Sequence, residues 1–151
     1  MILPVVRFDE EILRQETYLV EIPFSDDVKQ LIVDLRDTVK AAEDPPGLGL
    51  SAPQINKSKK VFVINNGPHQ YIMVNPVITR KWGKVTSFEE GCLSLPGVTV
   101  RVSRPKFIKI DYTDEHGIRH TNQKFHGMNA RIIQHEYDHL DALLITDYAR
   151  F

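Results

Sequence analysis

The chain has 151 residues, with 19 basic and 20 acidic side chains and a formal net charge of -1 at pH 7. Because both signs are mixed along the chain, the net charge does not predict binding to nucleic acid or to an anionic membrane. No window reaches the roughly 18 apolar residues of a membrane span, and the first residues lack the pattern of a secretory signal. We therefore expect a single domain of residues 1–151, soluble and intracellular, with neither a membrane nor nucleic acid as its direct partner.

Two segments have helical periodicity. The first predicts a helix over residues 25–44, because Ser25 is a suitable N-cap and Pro45 follows the last residue. Its apolar residues recur at helical spacing: Val28, Leu31, Ile32, Leu35 and Val39. The second pattern begins after Gly127 and predicts a helix over residues 127–143.

Strand patterns fill the region between the two helices. Residues 61–65 and 71–75 predict a hairpin, since β-branched and aromatic runs flank Asn66-Gly67-Pro68. Apolar and polar residues also alternate in residues 98–102, 106–112 and 118–125. We therefore expect an α+β fold, in which short antiparallel sheets pack around the central helix of residues 127–143. The first helix then covers one side.

The central helix contains the motif His135-Glu136-Tyr137-Asp138-His139. A step of four residues places His135 and His139 on one helix face, roughly 6 Å apart along the axis, where both imidazoles can bind one metal ion. Glu136 would lie beside the open coordination side, where its carboxylate can take a proton from bound water. The alternative is a helix with two partly buried histidines.

Two further segments carry candidate polar groups. In residues 47–54, Gly47 and Gly49 allow a close backbone approach and Gln54 can offer N–H donors to an oxygen, although a glycine-rich connector is the alternative. Cys92, the only cysteine, cannot form an internal disulfide. The residues alone leave it as a buried apolar side chain, a reactive thiol or a metal ligand.

Together, the segments Gly47–Gln54, Glu90–Ser94 and Gln134–Leu140 resemble the three signature motifs of peptide deformylase, in the order of that family. The resemblance covers nearly the whole chain. It implies that Cys92, His135 and His139 bind one divalent metal ion, with water in the fourth position. It points to Fe²⁺ as the native metal, while Zn²⁺, Ni²⁺ and Co²⁺ also suit these ligands.

The resemblance also implies the reaction, which removes the N-formyl group from the initiator methionine of newly made polypeptides and releases formate. Metal-bound water would lose a proton to Glu136 and attack the formyl carbon. The Gln54 amide and the Leu93 backbone N–H would hold the oxyanion. A narrow cavity and an apolar pocket would bind the formylmethionine. The substrate-binding residues would be Leu48, Gly49, Phe88, Met128 and Ile132.

Other positions bear on the resemblance. Ser51 stands where the family usually has Ala, and Arg104 and Asp138 should meet as a pair that steadies the central helix. The chain ends soon after His139, without the long C-terminal helix of many bacterial members. We therefore expect a monomer that meets N-formylmethionyl nascent peptides in solution, and we doubt that it associates with the ribosome.

Two alternatives differ in testable ways. A different metallopeptidase could use the same helix residues with another third ligand, and Cys92→Ser would then keep full metal content and activity. A structural metal module would lack catalysis, and Glu136→Ala would then deformylate formyl-Met-Ala-Ser as well as the parent does. The structural alternative is disfavoured because a closed site usually has four protein ligands, and only three are evident.

Overall fold

The computed structural model describes residues 1–43 and 46–149. Within them, two α-helices accompany five strands that form one antiparallel sheet, with neighbours in chain order. This arrangement confirms the α+β class. The helices are α1 (Asp26–Ala41) and α2 (Gly127–Leu140), and the strands are β1 (Gly49–Ser51), β2 (Val61–Asn65), β3 (Gln70–Cys92), β4 (Leu95–Thr113) and β5 (Arg119–His126).

Helix α1 begins as its sequence predicts. The Ser25 hydroxyl accepts a hydrogen bond from the Val28 N–H, which satisfies one free donor of the first turn. The helix ends at Ala41, earlier than the predicted residue 44, because the chain turns back and the Gly47 N–H donates to the Ala42 carbonyl. Residue Asp44 itself lies outside the described residues.

The sheet is organised by two long strands. The predicted hairpin is confirmed, with β2 and β3 in register from Val61 opposite Val74 to Asn65 opposite Gln70. Strand β3 then continues to Cys92 and pairs with β4 through four register shifts. Each shift bends the strand and interrupts the alternation of side chains, so these strands read as several shorter ones in the sequence.

The two helices pack on opposite faces of the sheet. In β2, Val61 and Val63 belong to the core cluster beneath α1, whereas Phe62 and Ile64 belong to the cluster beneath α2. This alternation follows from the period of two along a strand. Helix α2 is consequently buried along most of its length, including its histidines. None of the helices in the described residues has the length and apolar character needed to cross a bilayer.

Helix α2 ends at Leu140, so the prediction that it extends to residue 143 is wrong. The N–H groups of Asp141 and Leu143 both bond to the Asp138 carbonyl, and Ala142 has a left-handed conformation with φ 61°. This geometry closes the helix and turns the chain. Arg14 holds the turn, because its guanidinium donates to the Ala142 carbonyl at 3.0 Å.

Candidate active site

Three buried side chains converge at the centre of the molecule. The ligand atoms of Cys92, His135 and His139 all lie within 4.8 Å of one another. Cys92 arrives from the end of β3, and both histidines come from α2, one helical turn apart. The Cys92 Sγ lies 3.5 Å from the His139 Nε2. The fold therefore brings the thiol of one motif to the imidazoles of another.

Glu90 fixes the orientation of the first histidine. Its Oε1 lies 3.0 Å from the His135 Nδ1, which leaves the Nε2 directed at the pocket, 3.9 Å from the Glu136 Oε2. A carboxylate on the far nitrogen is the usual partner of a metal-binding imidazole, because it fixes both the ring and its tautomer. In the sequence, Glu90 is distinguished only by its place in a motif.

The protonation of the two histidines differs. Burial lowers the pKa of His135, but the charge of Glu136 and hydrogen bonds with neighbouring groups outweigh it and raise the pKa well above its usual value. Burial and the nearby His135 both lower the pKa of His139. His139 therefore presents a neutral imidazole, whereas nearby negative charge favours the protonated form of His135.

Glu136 carries the strongest signature of a proton-transfer group. Burial raises the pKa of its carboxyl to about 7, despite the opposing effect of His135. Its Oε1 is buried and has no hydrogen-bond partner among the described residues. An ionisable group with a pKa near neutrality, facing a cavity, can accept and return a proton at physiological pH.

The Gln54 amide is held by Ser51. The Ser51 backbone N–H donates to the Gln54 Oε1 at 2.9 Å, and the Ser51 hydroxyl lies 3.1 Å from the same oxygen. This arrangement directs the Gln54 Nε2 toward the Ser94 hydroxyl at 3.0 Å and the Cys92 Sγ at 3.5 Å. Ser51 is completely buried, so its hydroxyl is accommodated through this contact.

A buried ionic network supports the helix. Arg104 forms a bidentate pair with Glu90, at 2.7 and 2.9 Å, and its third nitrogen donates to Asp138 at 2.9 Å. The predicted contact between Arg104 and Asp138 is thereby confirmed. Burial alone would raise the pKa of Glu90, but hydrogen bonds from His135 and Arg104 outweigh it and lower the pKa to about 2. Glu90 is therefore ionised at neutral pH.

Beside the three donor atoms lies a cavity of about 230 Å³. Every candidate site residue except His139 lines this cavity. Arg131, which the sequence analysis missed, also lines it and donates to the Glu90 Oε2 at 2.7 Å. The candidate residues that line it are Leu48, Gly49, Gln54, Phe88, Cys92, Leu93, Met128, Ile132, His135 and Glu136.

These residues fit a divalent metal ion. One thiol and two imidazoles form a donor set that suits Zn²⁺, Fe²⁺, Ni²⁺ or Co²⁺. The ionised carboxylate of Glu90 lies 3.0 Å from the His135 Nδ1, so negative charge adjoins the donor set. The three protein donors, with a cavity beside them, correspond to an open site, whereas a structural site is usually closed by a fourth protein ligand.

Comparison with known proteins agrees with this geometry. Residues 2–151 match the family described as polypeptide deformylase. The chain is 37% identical to a peptide deformylase of Cytophaga hutchinsonii, over 98% of this chain and 82% of that protein. It superposes with a TM-score of 0.91 on a peptide deformylase of Synechococcus elongatus solved with actinonin, at 34% identity, covering 99% and 79% of the two chains. For a probable peptide deformylase of Synechococcus phage S-SSM7, the TM-score is 0.88 at 34% identity, with 97% and 99% covered.

Proposed function

Because the chain belongs to the polypeptide deformylase family, whose members are hydrolases that remove N-formyl groups from nascent peptides, we propose that it deformylates N-formylmethionyl peptides in this cavity. The observation that carries the proposal is the convergence of Cys92, His135 and His139 beside Glu136, a buried carboxyl with a pKa of about 7. The products are formate and a peptide with a free amino terminus. Residues 1–151 act as one catalytic domain in this proposal.

Cys92, His135 and His139 would hold one divalent metal ion, with Fe²⁺ as the native metal that we propose. When bound, such an ion supplies Lewis acidity and lowers the pKa of coordinated water. The Cys92 thiolate would place negative charge on such an ion and would make the site sensitive to oxidation. Glu90, through the His135 Nδ1, keeps the Nε2 of that imidazole directed inward.

Glu136 moves the proton in this mechanism. Its Oε1 has no other partner among the described residues, so it is free to accept a proton from the attacking water. The same oxygen then delivers a proton to the departing amine, which must leave neutral. A pKa of about 7 suits both directions of transfer, because neither the acid nor the base form is strongly favoured near neutral pH.

Gln54 and Leu93 would stabilise the negative charge that develops on the formyl oxygen. Ser51 orients the Gln54 amide; one N–H of its Nε2 donates to Ser94, and the other, near the Cys92 Sγ, would donate to the oxyanion. The Leu93 backbone lies at the same wall, directly after Cys92. Loss of one such donor usually lowers the rate by about 10² to 10³.

The pocket suits an apolar side chain. Leu48, Phe88 and Met128 are 43%, 47% and 39% exposed at its mouth, whereas Ile132 is buried at its wall. These partly exposed side chains can cover the methionine of a bound peptide and lose contact with water as they do so. Each methylene of the substrate would contribute roughly 1 to 3 kcal/mol to discrimination, so the preference for methionine is real but not absolute.

Gly49 lies where the formyl group would approach. A Cβ at this residue would come within 2.7 Å of the Glu136 Oε2 and 3.0 Å of the Ile132 Cγ2. Only a residue without a side chain therefore allows β1 to approach α2 this closely. We propose that this narrow approach leaves room for a formyl group and excludes larger acyl groups such as acetyl.

The test compares formyl-Met-Ala-Ser with acetyl-Met-Ala-Ser as substrates of the protein loaded with Fe²⁺ without air. The proposal predicts release of formate from the first peptide and no detectable acetate from the second. An internal peptide bond serves as the control substrate for the metallopeptidase alternative. Cleavage of that bond without formate release would show that the proposed function is wrong.

The predicted partners follow from this proposal. The substrates are N-formylmethionyl nascent peptides, and we expect the protein to act as a cytoplasmic monomer. The doubt about ribosome association stays a prediction, because the described residues do not bear on it. Sedimentation of the protein with and without purified ribosomes would test the oligomeric state and this association together.

A further inference from the structure

The basic residues are distributed unevenly over the sheet. Three segments, residues 79–88 of β3, 103–110 of β4 and 119–126 of β5, contain eight Lys and Arg side chains and no acidic ones. The overall charge of -1 conceals this segregation, because the rest of the chain has an excess of acidic residues. Arg104 is neutralised by Glu90 and Asp138 in the buried network, so the other seven side chains give this end of the sheet its basic character. The eight basic residues are Arg80, Lys81, Lys84, Arg104, Lys106, Lys109, Arg119 and Lys124.

Strand register arranges part of this set into two adjacent rows. Trp82 lies opposite Phe107, which lies opposite His126, so three rings form one row across β3, β4 and β5. In the neighbouring row, Arg80 lies opposite Lys109, which lies opposite Lys124. Residues in register share a face of the sheet. We call these six residues the aromatic–basic face.

The aromatic–basic face is on the side of the sheet away from α2. Ile108 and Ile110 pack in the core beneath α2, so the alternating residues Phe107 and Lys109 point the other way. Helix α1 packs on that side over β1, β2 and the start of β3, where Ile72 and Val74 join its core cluster. Among the described residues, Arg80, Lys109 and Lys124 form no ion pair, so their charges remain available to a partner.

The rings and cations on this face are already ordered. Trp82 and Phe107 stack with centroids 5.4 Å apart and planes 18° apart. The Lys124 Nζ is 4.7 Å from the Phe107 centroid, and the Arg80 Cζ is 4.6 Å from the Trp82 centroid. Phe107 lies against the backbone of Gly83, where a Cβ would come within 2.5 Å of the ring. The half-buried rings therefore lie close to the sheet rather than projecting from it.

We propose that the aromatic–basic face binds single-stranded RNA. Phosphates would pair with the cationic row, and bases would stack on the rings and on the Arg80 guanidinium, as they do on other exposed sheets that combine these groups. An anionic membrane fits less well, because membrane-bound surfaces insert protruding apolar side chains and these rings lie against the sheet. The proposal departs from the expectation that nucleic acid is no direct partner, because that expectation rested on the charge of the whole chain. It does not depend on the proposed deformylase activity.

Trp82 is the only tryptophan, so its fluorescence reports directly on this face. We expect a short uridine-rich RNA to quench it at low salt, with binding weakened by added salt. The double variant Lys109→Glu/Lys124→Glu replaces one like-charged cross-strand pair with another, so the repulsion between strands is retained. It should bind at least about tenfold more weakly, with the salt slope reduced by about 1.4.

The matched control is Lys29→Glu/Lys57→Glu, which makes the same change in charge at two exposed lysines outside the sheet. It should bind RNA nearly as the parent does, and all three proteins should release formate at equal rates because neither pair of lysines lines the cavity. Equal weakening in the control would overturn the proposal. So would the absence of RNA binding by the parent, equal quenching by polyglutamate, or a preference of this face for phosphatidylserine vesicles.

Discussion

The His135 Nδ1 lies 3.0 Å from the Glu90 Oε1, and the same carboxylate accepts hydrogen bonds from Arg104 and Arg131. Glu90 thus links the imidazole to two buried guanidinium groups. Because those groups hold the carboxylate in place, the imidazole is oriented before any metal arrives. The site is therefore preorganised by residues other than the proposed metal ligands.

Replacing Glu90 with Gln should weaken metal binding. The amide keeps the shape of the side chain but loses its charge, so His135 is held less firmly and we expect metal affinity to fall by about 10- to 100-fold. Competition with a chelator measures this affinity. The matched control is Glu89→Gln at the adjacent exposed position, which should bind metal as the parent does. Equal affinity in all three proteins would contradict the role of Glu90.

The stability of the metal-free protein should depend on the ionisation of Glu90. The pKa of this carboxyl is about 2 in the folded protein, against 4.5 for an unperturbed glutamate in the unfolded chain. The stabilisation is therefore complete above pH 4.5 and is lost as the pH falls toward 2, an effect of at most about 3 kcal/mol. Urea unfolding at a series of pH values should show the free-energy difference between parent and Glu90→Gln narrowing over this interval. A constant difference would argue against the shifted pKa.

Removal of the Arg104 guanidinium should destabilise the protein strongly. Arg104→Ala leaves Glu90 and Asp138 buried without their shared cation, and we expect a loss of about 3 to 5 kcal/mol in the free energy of unfolding. Arg101→Ala is the control on the same strand, because Arg101 is 63% exposed and its pair with Glu89 is long. It should cost less than about 1 kcal/mol. Unchanged stability and turnover in Arg104→Ala would show that the pair does not steady α2.

Gly49→Ala should impair turnover without removing the metal. The added methyl group would displace the Glu136 carboxylate, and a displacement of about 1 Å at a reacting group can lower the rate roughly 10²-fold. Gly91→Ala is the control at the same cavity, because a Cβ there meets nothing within 4 Å. Formate release and metal content should be measured on both variants. A fully active Gly49→Ala would show that the close approach of β1 to α2 is not required.

The sequence was most informative where local spacing determines geometry. The helical step from His135 to His139 predicts a shared face, and both side chains reach the same site as Cys92. Arg131 could have been found by the same reasoning, since it precedes His135 by one helical turn. Its charge made it look like a surface residue, whereas the structure buries it against Glu90.

Features that depend on distant pairing were not predictable. The four register shifts between β3 and β4 follow from packing across the sheet, so alternation in the sequence indicated only short strands. The aromatic–basic face likewise requires the register of three strands before its rows become visible. The turn that ends α2 has a non-glycine residue, Ala142, in the left-handed conformation and is contacted by Arg14, which is far away in the chain.

The most direct test of the mechanism uses Glu136→Gln, loaded with Fe²⁺ without air alongside the parent. Gln fills the same space and none of the three proposed ligands changes, so the variant should bind one metal ion per chain. Its formate release from formyl-Met-Ala-Ser should fall by about 10² to 10⁴, because the amide cannot accept the proton. Parent-like turnover by a fully loaded variant would contradict the account.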